Sequence, residues 1–219
     1  MSPAATRASR SVRRTRNLSP LTIAERVSSS IDLELSEGWR RAPGIFVIAE
    51  VGGAVGERIR QIQRQYDPKL ANALPPHVTI AGSSGVGPIA ADTAVVELRA
   101  RLQPICRDTA VLELPLQHPH RFMQTDIIVL PIDPYGPIRP LYERIAASGL
   151  RFAGTKHTFT PHVTLSFYRT LEPDDARRLL AMRIEEPLRI TSVRCSLTDE
   201  PMPPRTLLEL PLGTTSPPP

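Results

Sequence analysis

Blocks of apolar and polar positions alternate along the middle of this 219-residue chain with two different periods. Gly44 to Val51 is an almost unbroken apolar run, the mark of a strand covered on both faces. The period then becomes helical, with Val55, Ile59, Ile62 and Tyr66 on one face of a helix over about 53–66. A strand is predicted at 77–81. The helix after it has Asp92 as its expected N-cap and Val95, Leu98, Leu102 and Ile105 as its apolar stripe. Strands at about 110–116 and 126–132 follow, then a helix carrying Ile138, Leu141 and Ile145, and a strand at 162–168. Pro173 opens another helix, with Ala176, Leu179 and Leu180 facing inward. Strands at about 187–198 and 206–212 complete the pattern.

The order strand, helix, strand, helix, strand therefore occurs twice, with the first strands of the two copies offset by 82 positions. Leu112-Glu113-Leu114-Pro115-Leu116 and Leu208-Glu209-Leu210-Pro211-Leu212 are alike at an offset of 96, outside that register, and read as shared strand composition. Two related halves would set equivalent strands about a pseudo-twofold axis.

The strongest internal match lies in those equivalent strands: Pro76-His77-Val78-Thr79-Ile80 and Pro161-His162-Val163-Thr164-Leu165, with histidines 85 positions apart. Alternate side chains of a strand share a face, so each His and Thr stand together, roughly 7 Å apart at about 3.3 Å per residue. Val78, Ile80, Val163 and Leu165 point the other way, into a core. Imidazoles titrate near neutrality, so two such units facing each other offer one group to take a proton and one to give it.

This doubled motif resembles the 2H phosphoesterase superfamily, which includes 2′,3′-cyclic nucleotide phosphodiesterases and bacterial 2′-5′ RNA ligase-type proteins. The likeness covers about residues 44–213. It implies an α+β, bilobal fold with two pseudo-symmetric β-α-β-α-β lobes, about 44–120 and 121–213, whose mainly antiparallel sheets face a central cleft. It implies a metal-independent phosphodiesterase acting on 2′,3′-cyclic phosphates of nucleotides or RNA ends, without a cofactor. By resemblance His77 and His162 split the acid and base roles, and Thr79 and Thr164 bond the phosphate. Alternatives are 2′-5′ RNA ligase or 2′-5′ phosphodiesterase activity, and a non-catalytic protein of this fold that binds RNA ends or nucleotides. Many family members carry a basic residue two or three positions after the motif threonine. Here the motifs continue Ile80-Ala81-Gly82 and Leu165-Ser166-Phe167, leaving Arg169, Arg121, Lys156 or Arg151 as substitutes.

Other candidates have plainer readings beside the functional one. Tyr168, by strand parity on the face of His162 and Thr164, either stacks a base or sugar or is a rim or core tyrosine. Gly82-Ser83-Ser84-Gly85-Val86-Gly87 offers backbone N–H groups to a phosphate, but it lacks the Walker lysine and reads as a turn. His118-Pro119-His120 resembles a metal-ligand pair, yet carboxylates at metal spacing are missing, and a loop or hairpin is expected. A metal hydrolase built on it is the third function class. His157 lines the cleft or is a solvated loop residue.

Charge and composition narrow the partners. Residues 1–43 hold eight arginines against four acids, and the rest of the chain 19 basic against 18 acidic residues, so the net +5 sits mostly in the leading segment. A broad nucleic-acid surface on the core is not supported, and small or short phosphodiesters fit better. The segment 1–43 reads as basic and largely disordered, with a short helix from Ser19-Pro20 in which Thr22 and Glu25 have capping-box spacing. Residues 214–219 read as a disordered tail. No apolar run reaches membrane-span length, so no membrane partner is expected. Cys106 and Cys195 lack metal or disulfide spacing, which favours a reducing, cytoplasmic setting. The chain is read as a monomer.

Overall fold

The computed structural model describes residues 43–122, 125–168, 171–199 and 202–213. The leading segment with its expected helix, the tail 214–219 and Arg169 lie outside the described residues.

One antiparallel sheet organises the fold. Its strands are β1 (Gly44–Glu50), β2 (His77–Ala81), β5 (His120–Arg121), β6 (Ile128–Pro131), β7 (His162–Ser166), β9 (Ser192–Asp199) and β10 (Met202–Pro211), in the order β10-β9-β1-β2-β7-β6-β5. A short β3 (Ile89–Ala90) adds to β1 beside Gly44. A separate two-stranded sheet joins β4 (Leu112–Leu114) to β8 (Leu188–Ile190). Strands of the first and second halves meet at the centre, where β2 lies antiparallel to β7. The chain's last strands return to the first half, because β9 pairs with β1. This is an α+β protein with mainly antiparallel sheets.

The helices α1 (Gly53–Tyr66), α3 (Val95–Arg107), α4 (Arg139–Ala146) and α5 (Pro173–Ala181) turn their apolar faces into one core with the sheet, except that Val95, expected in the stripe of α3, stands exposed in the helix's first turn. Ile59, Leu98, Leu102, Leu141, Ile145 and Leu179 are almost solvent-free, together with Val47, Val78, Val163 and Leu165 from the strands. Transfer data put each such side chain at roughly 1.5–3 kcal/mol. That burial fixes which face each strand turns inward, since a one-residue slip would expose the apolar set.

Several expectations are corrected. Asp92 is not an N-cap: α3 starts at Val95 after Ala94 with no side-chain cap, and the Asp92 carboxylate instead accepts a 2.6 Å hydrogen bond from Arg151. The stretch 187–198 is two strands in two sheets, β8 and β9. The second motif strand ends at Ser166. A short helix α2 (Pro68–Ala73) also follows α1, capped by Asp67, whose carboxylate accepts the Leu70 N–H, with Pro68 in the first turn.

Candidate active site

Both motif strands lie side by side at the sheet's centre, with Val78 directly opposite Val163. In an antiparallel pair, opposite residues share a face. The valines point into the core, fully buried, and the flanking residues point the other way. Counting outward from that pair sets His77 across from Thr164 and Thr79 across from His162. The four side chains form a quadrilateral with imidazoles on one diagonal and hydroxyls on the other. Diagonal neighbours in such a pair stand roughly 7–8 Å apart. All four residues are half-buried.

The two histidines are held alike. His77 Nδ1 lies 2.9 Å from the Pro75 carbonyl oxygen, and His162 Nδ1 lies 2.8 Å from that of Thr160. A carbonyl only accepts, so Nδ1 carries the hydrogen in both rings and Nε2 is left for chemistry. Pro76 and Pro161 serve this arrangement: the residue before a proline favours extended backbone, and each proline carbonyl accepts the N–H of the residue just past the neighbouring strand, Val51 after β1 and Ile132 after β6.

The surroundings break the symmetry. Phe122 packs against the His162 ring at a centroid distance of 4.9 Å. Burial holds His162 below the usual imidazole range, against the raising effect of the Thr160 hydrogen bond, with His77 and His120 pushing it down as well. That places His120, at the far end of the row His77, Thr164, Val129, His120, within electrostatic reach of the site.

Residues that sequence reasoning passed over support the motif strands. Gln63 donates from Nε2 to the Thr164 carbonyl at 2.8 Å. The buried Asp67 carboxylate accepts N–H bonds from Phe167 and Tyr168 at 2.8 and 2.9 Å, closing the end of β7. The signal for Asp67 was present, since Asp-Pro at the foot of a helical pattern is an N-terminal mark. Glu50 and Arg194 also lie on the histidine face. Glu50 is paired with His77, and Arg194 with Ile48, itself paired with Thr79. Arg194 bonds Glu50 at 2.7 Å and approaches Glu209 at 3.5 Å.

The remaining candidates scatter. Tyr168 lies beyond the end of its strand, so strand parity does not fix its face; Lys69 sits 4.0 Å above its ring, and the tyrosine lines a recess with Arg121, Asp126 and Pro173. Arg121 pairs with Asp126 and Arg151 with Asp92, while Lys156 is exposed. His157 lines a cavity of about 600 Å³ with Tyr135, Arg139, Tyr142 and Phe159. The Gly82–Gly87 loop is a joint between the halves: Gly85 donates its N–H to the His157 carbonyl, and Gly154 donates to Val86. His118 and His120 are exposed, and among the described residues no group of three His, Cys, Asp or Glu is placed to hold a metal ion.

A family model described as the 2′-5′ RNA ligase superfamily matches residues 52–200. The chain belongs to the 2′-5′ RNA ligase superfamily. The resemblance of the doubled pentad to the 2H phosphoesterases is thereby confirmed, and with it an enzyme of the phosphoesterase or ligase class. Solved structures similar to this chain include E. coli LigT in apo form, at 17% identity and TM-score 0.48, covering 79% of this chain and 99% of LigT. LigT complexed with NADP+ gives 17% and 0.46, with 78% and 97% covered. A phosphoesterase gives 17% and 0.45, with 79% and 99% covered. No curated protein sequence matches the chain. No described helix is long and apolar enough to cross a membrane.

Proposed function

We propose that this superfamily member hydrolyses 2′,3′-cyclic phosphates of nucleotides or RNA ends by paired-histidine acid–base catalysis. The Val78–Val163 register carries the reading, because it sets two imidazoles on opposite corners of one small quadrilateral. Displacement at phosphorus is in line, with nucleophile and leaving oxygen on opposite sides. A base and an acid on a diagonal match that demand. Two hydroxyls on the other diagonal match the non-bridging oxygens, whose charge grows in the transition state.

His162, kept neutral by burial, takes a proton from the attacking water through Nε2. His77 then protonates the departing ribose oxygen, and Thr79 and Thr164 donate to the phosphate. The proton count balances, since one imidazole gains what the other loses. Ligation to a 2′-5′ bond is the same displacement with a ribose 5′-hydroxyl in place of water. His162 takes that hydroxyl's proton, the 5′-oxygen–phosphorus bond forms, the bond to the 3′-oxygen breaks and His77 protonates it, while the bond to the 2′-oxygen is kept. No step calls on a metal ion.

The test is incubation in chelator with 2′,3′-cyclic nucleotides and with 2′-5′ and 3′-5′ dinucleotides, products being separated by chromatography and weighed by mass spectrometry. Ring opening to a single monophosphate isomer is expected. Complete loss of activity in chelator, or activity that survives replacement of both histidines, would overturn the proposal.

A further inference from the structure

The duplicated scaffold supplies its own control. His77 faces Glu50 across β1, and His162 faces Pro131 across β6, at the equivalent place in the other half. Thr79 and Thr164 likewise face Ile48 and Val129. Of these matched pairs, only that of Glu50 with Pro131 differs in charge.

Glu50 is not a solvated surface acid. Its carboxylate takes a 2.7 Å bond from Arg194 Nη2, and the two side chains are 34% and 26% exposed. Arg194 leans on Glu209 as well, and Ser192 donates to Glu209 at 2.9 Å. Arg194 Nε is buried without a hydrogen-bond partner. The group spans β1, β9 and β10 on the histidine face and contains two carboxylates for one guanidinium. Polar residues tied together across a sheet face are costly to desolvate, and this row ends beside a reacting histidine.

We propose that Glu50, fixed by Arg194, is a positioning residue for His77: its carboxylate favours the imidazolium and so makes His77 the acid. This rests on the phosphodiesterase reading of the site. Directly opposite residues in an antiparallel pair have Cβ atoms about 4.5–5.5 Å apart, close enough for a carboxylate to stabilise a neighbouring cation. Among the described residues, the other polar or charged groups that the register sets beside His77 include Thr164 and His162 from β7, His120 along the same row, and Arg194 and Glu209 behind Glu50. Among the described residues, the carboxylate directly opposite His77 in the register is that of Glu50. Arg194 tempers it and holds it in place.

Two substitutions should act in opposite directions. Glu50→Gln removes the charge and keeps the shape, so the alkaline limb of the kcat/KM profile moves to lower pH. Activity at pH 8 relative to pH 6 then falls roughly three- to tenfold, the effect of one nearby charge at a partly screened site. Arg194→Met frees the carboxylate, so the same limb moves to higher pH. The acidic limb, set by His162, stays in place in both. NMR titration of the His77 ring protons in the three proteins reads the same coupling without turnover, and it separates this proposal from the activity itself. If His77 titrates in Glu50→Gln as it does in the unaltered chain, or if both variants move it the same way, the proposal is wrong. No hydrolysis of any substrate with opposite shifts at His77 would refute the phosphodiesterase reading and leave the coupling standing.

Discussion

At the scale of single residues, the site joins one motif seen twice to surroundings that differ. Alanine at His77 or at His162 should each lower kcat roughly 10²–10⁴-fold, the usual share of general acid–base catalysis. The double variant should lose far less than the product of the two, because the imidazoles act as a unit; single-turnover rates of the three variants check this. The pH profile should be a bell whose acidic limb lies below the usual imidazole range, since the base His162 is held down by burial. A stability effect follows from the same shift. Between the folded and unfolded pKa values of His162 the unfolded chain binds more protons, so stability falls as pH drops below the ordinary imidazole value. Replacing His162 with Gln should flatten that part of a stability-versus-pH curve, measured by urea unfolding from pH 7 to 5.

At the scale of elements, the strands depend on close contacts beside the motif. A Cβ added at Gly82 would lie 2.4 Å from Phe46 Cδ1 and 2.6 Å from Thr79 Cγ2. Gly82→Ala should therefore cost about 1–3 kcal/mol by overpacking and displace the Thr79 hydroxyl. The denaturation midpoint and kcat should fall together, and a variant that lost stability with kcat intact would show that Thr79 does not set the rate. Much at this scale was legible in advance. Periodicity marked β1, α1 and the motif strands because burial of their apolar faces decides their structure locally. The cap at Asp92 was misread because Arg151, 59 residues away, claims that carboxylate. Glu50 and Arg194 were passed over because their meaning lies in cross-strand register, although a lone acid ending the apolar run 44–51 was a visible anomaly.

At the scale of the whole molecule, the repeat in the sequence is cut by the topology. A split after residue 120 would leave β1 without β9, and β4 without β8, since those strands come from the last part of the chain. It would also part β2 from β7, the pair that builds the site. Neither half would keep its sheet covered, and each would expose apolar residues of the shared core, which runs from Ile45 to Leu212 without a break between halves. The described residues between 43 and 213 also group as one compact unit. The described region should accordingly unfold as a single cooperative transition, with equal calorimetric and van't Hoff enthalpies, despite its internal duplication. Fragments 43–120 and 121–219 made separately should each lack the near-UV circular dichroism of the intact chain. A half that folded alone, or two resolved unfolding steps, would mean that β9 and β8 contribute little to holding the halves together. The quadrilateral of His77, Thr79, His162 and Thr164 would then depend on the short β2–β7 ladder, a single register pair. A ladder that short cannot hold four reacting groups to the tolerance that catalysis needs, so joint folding and activity should be lost at the same urea concentration.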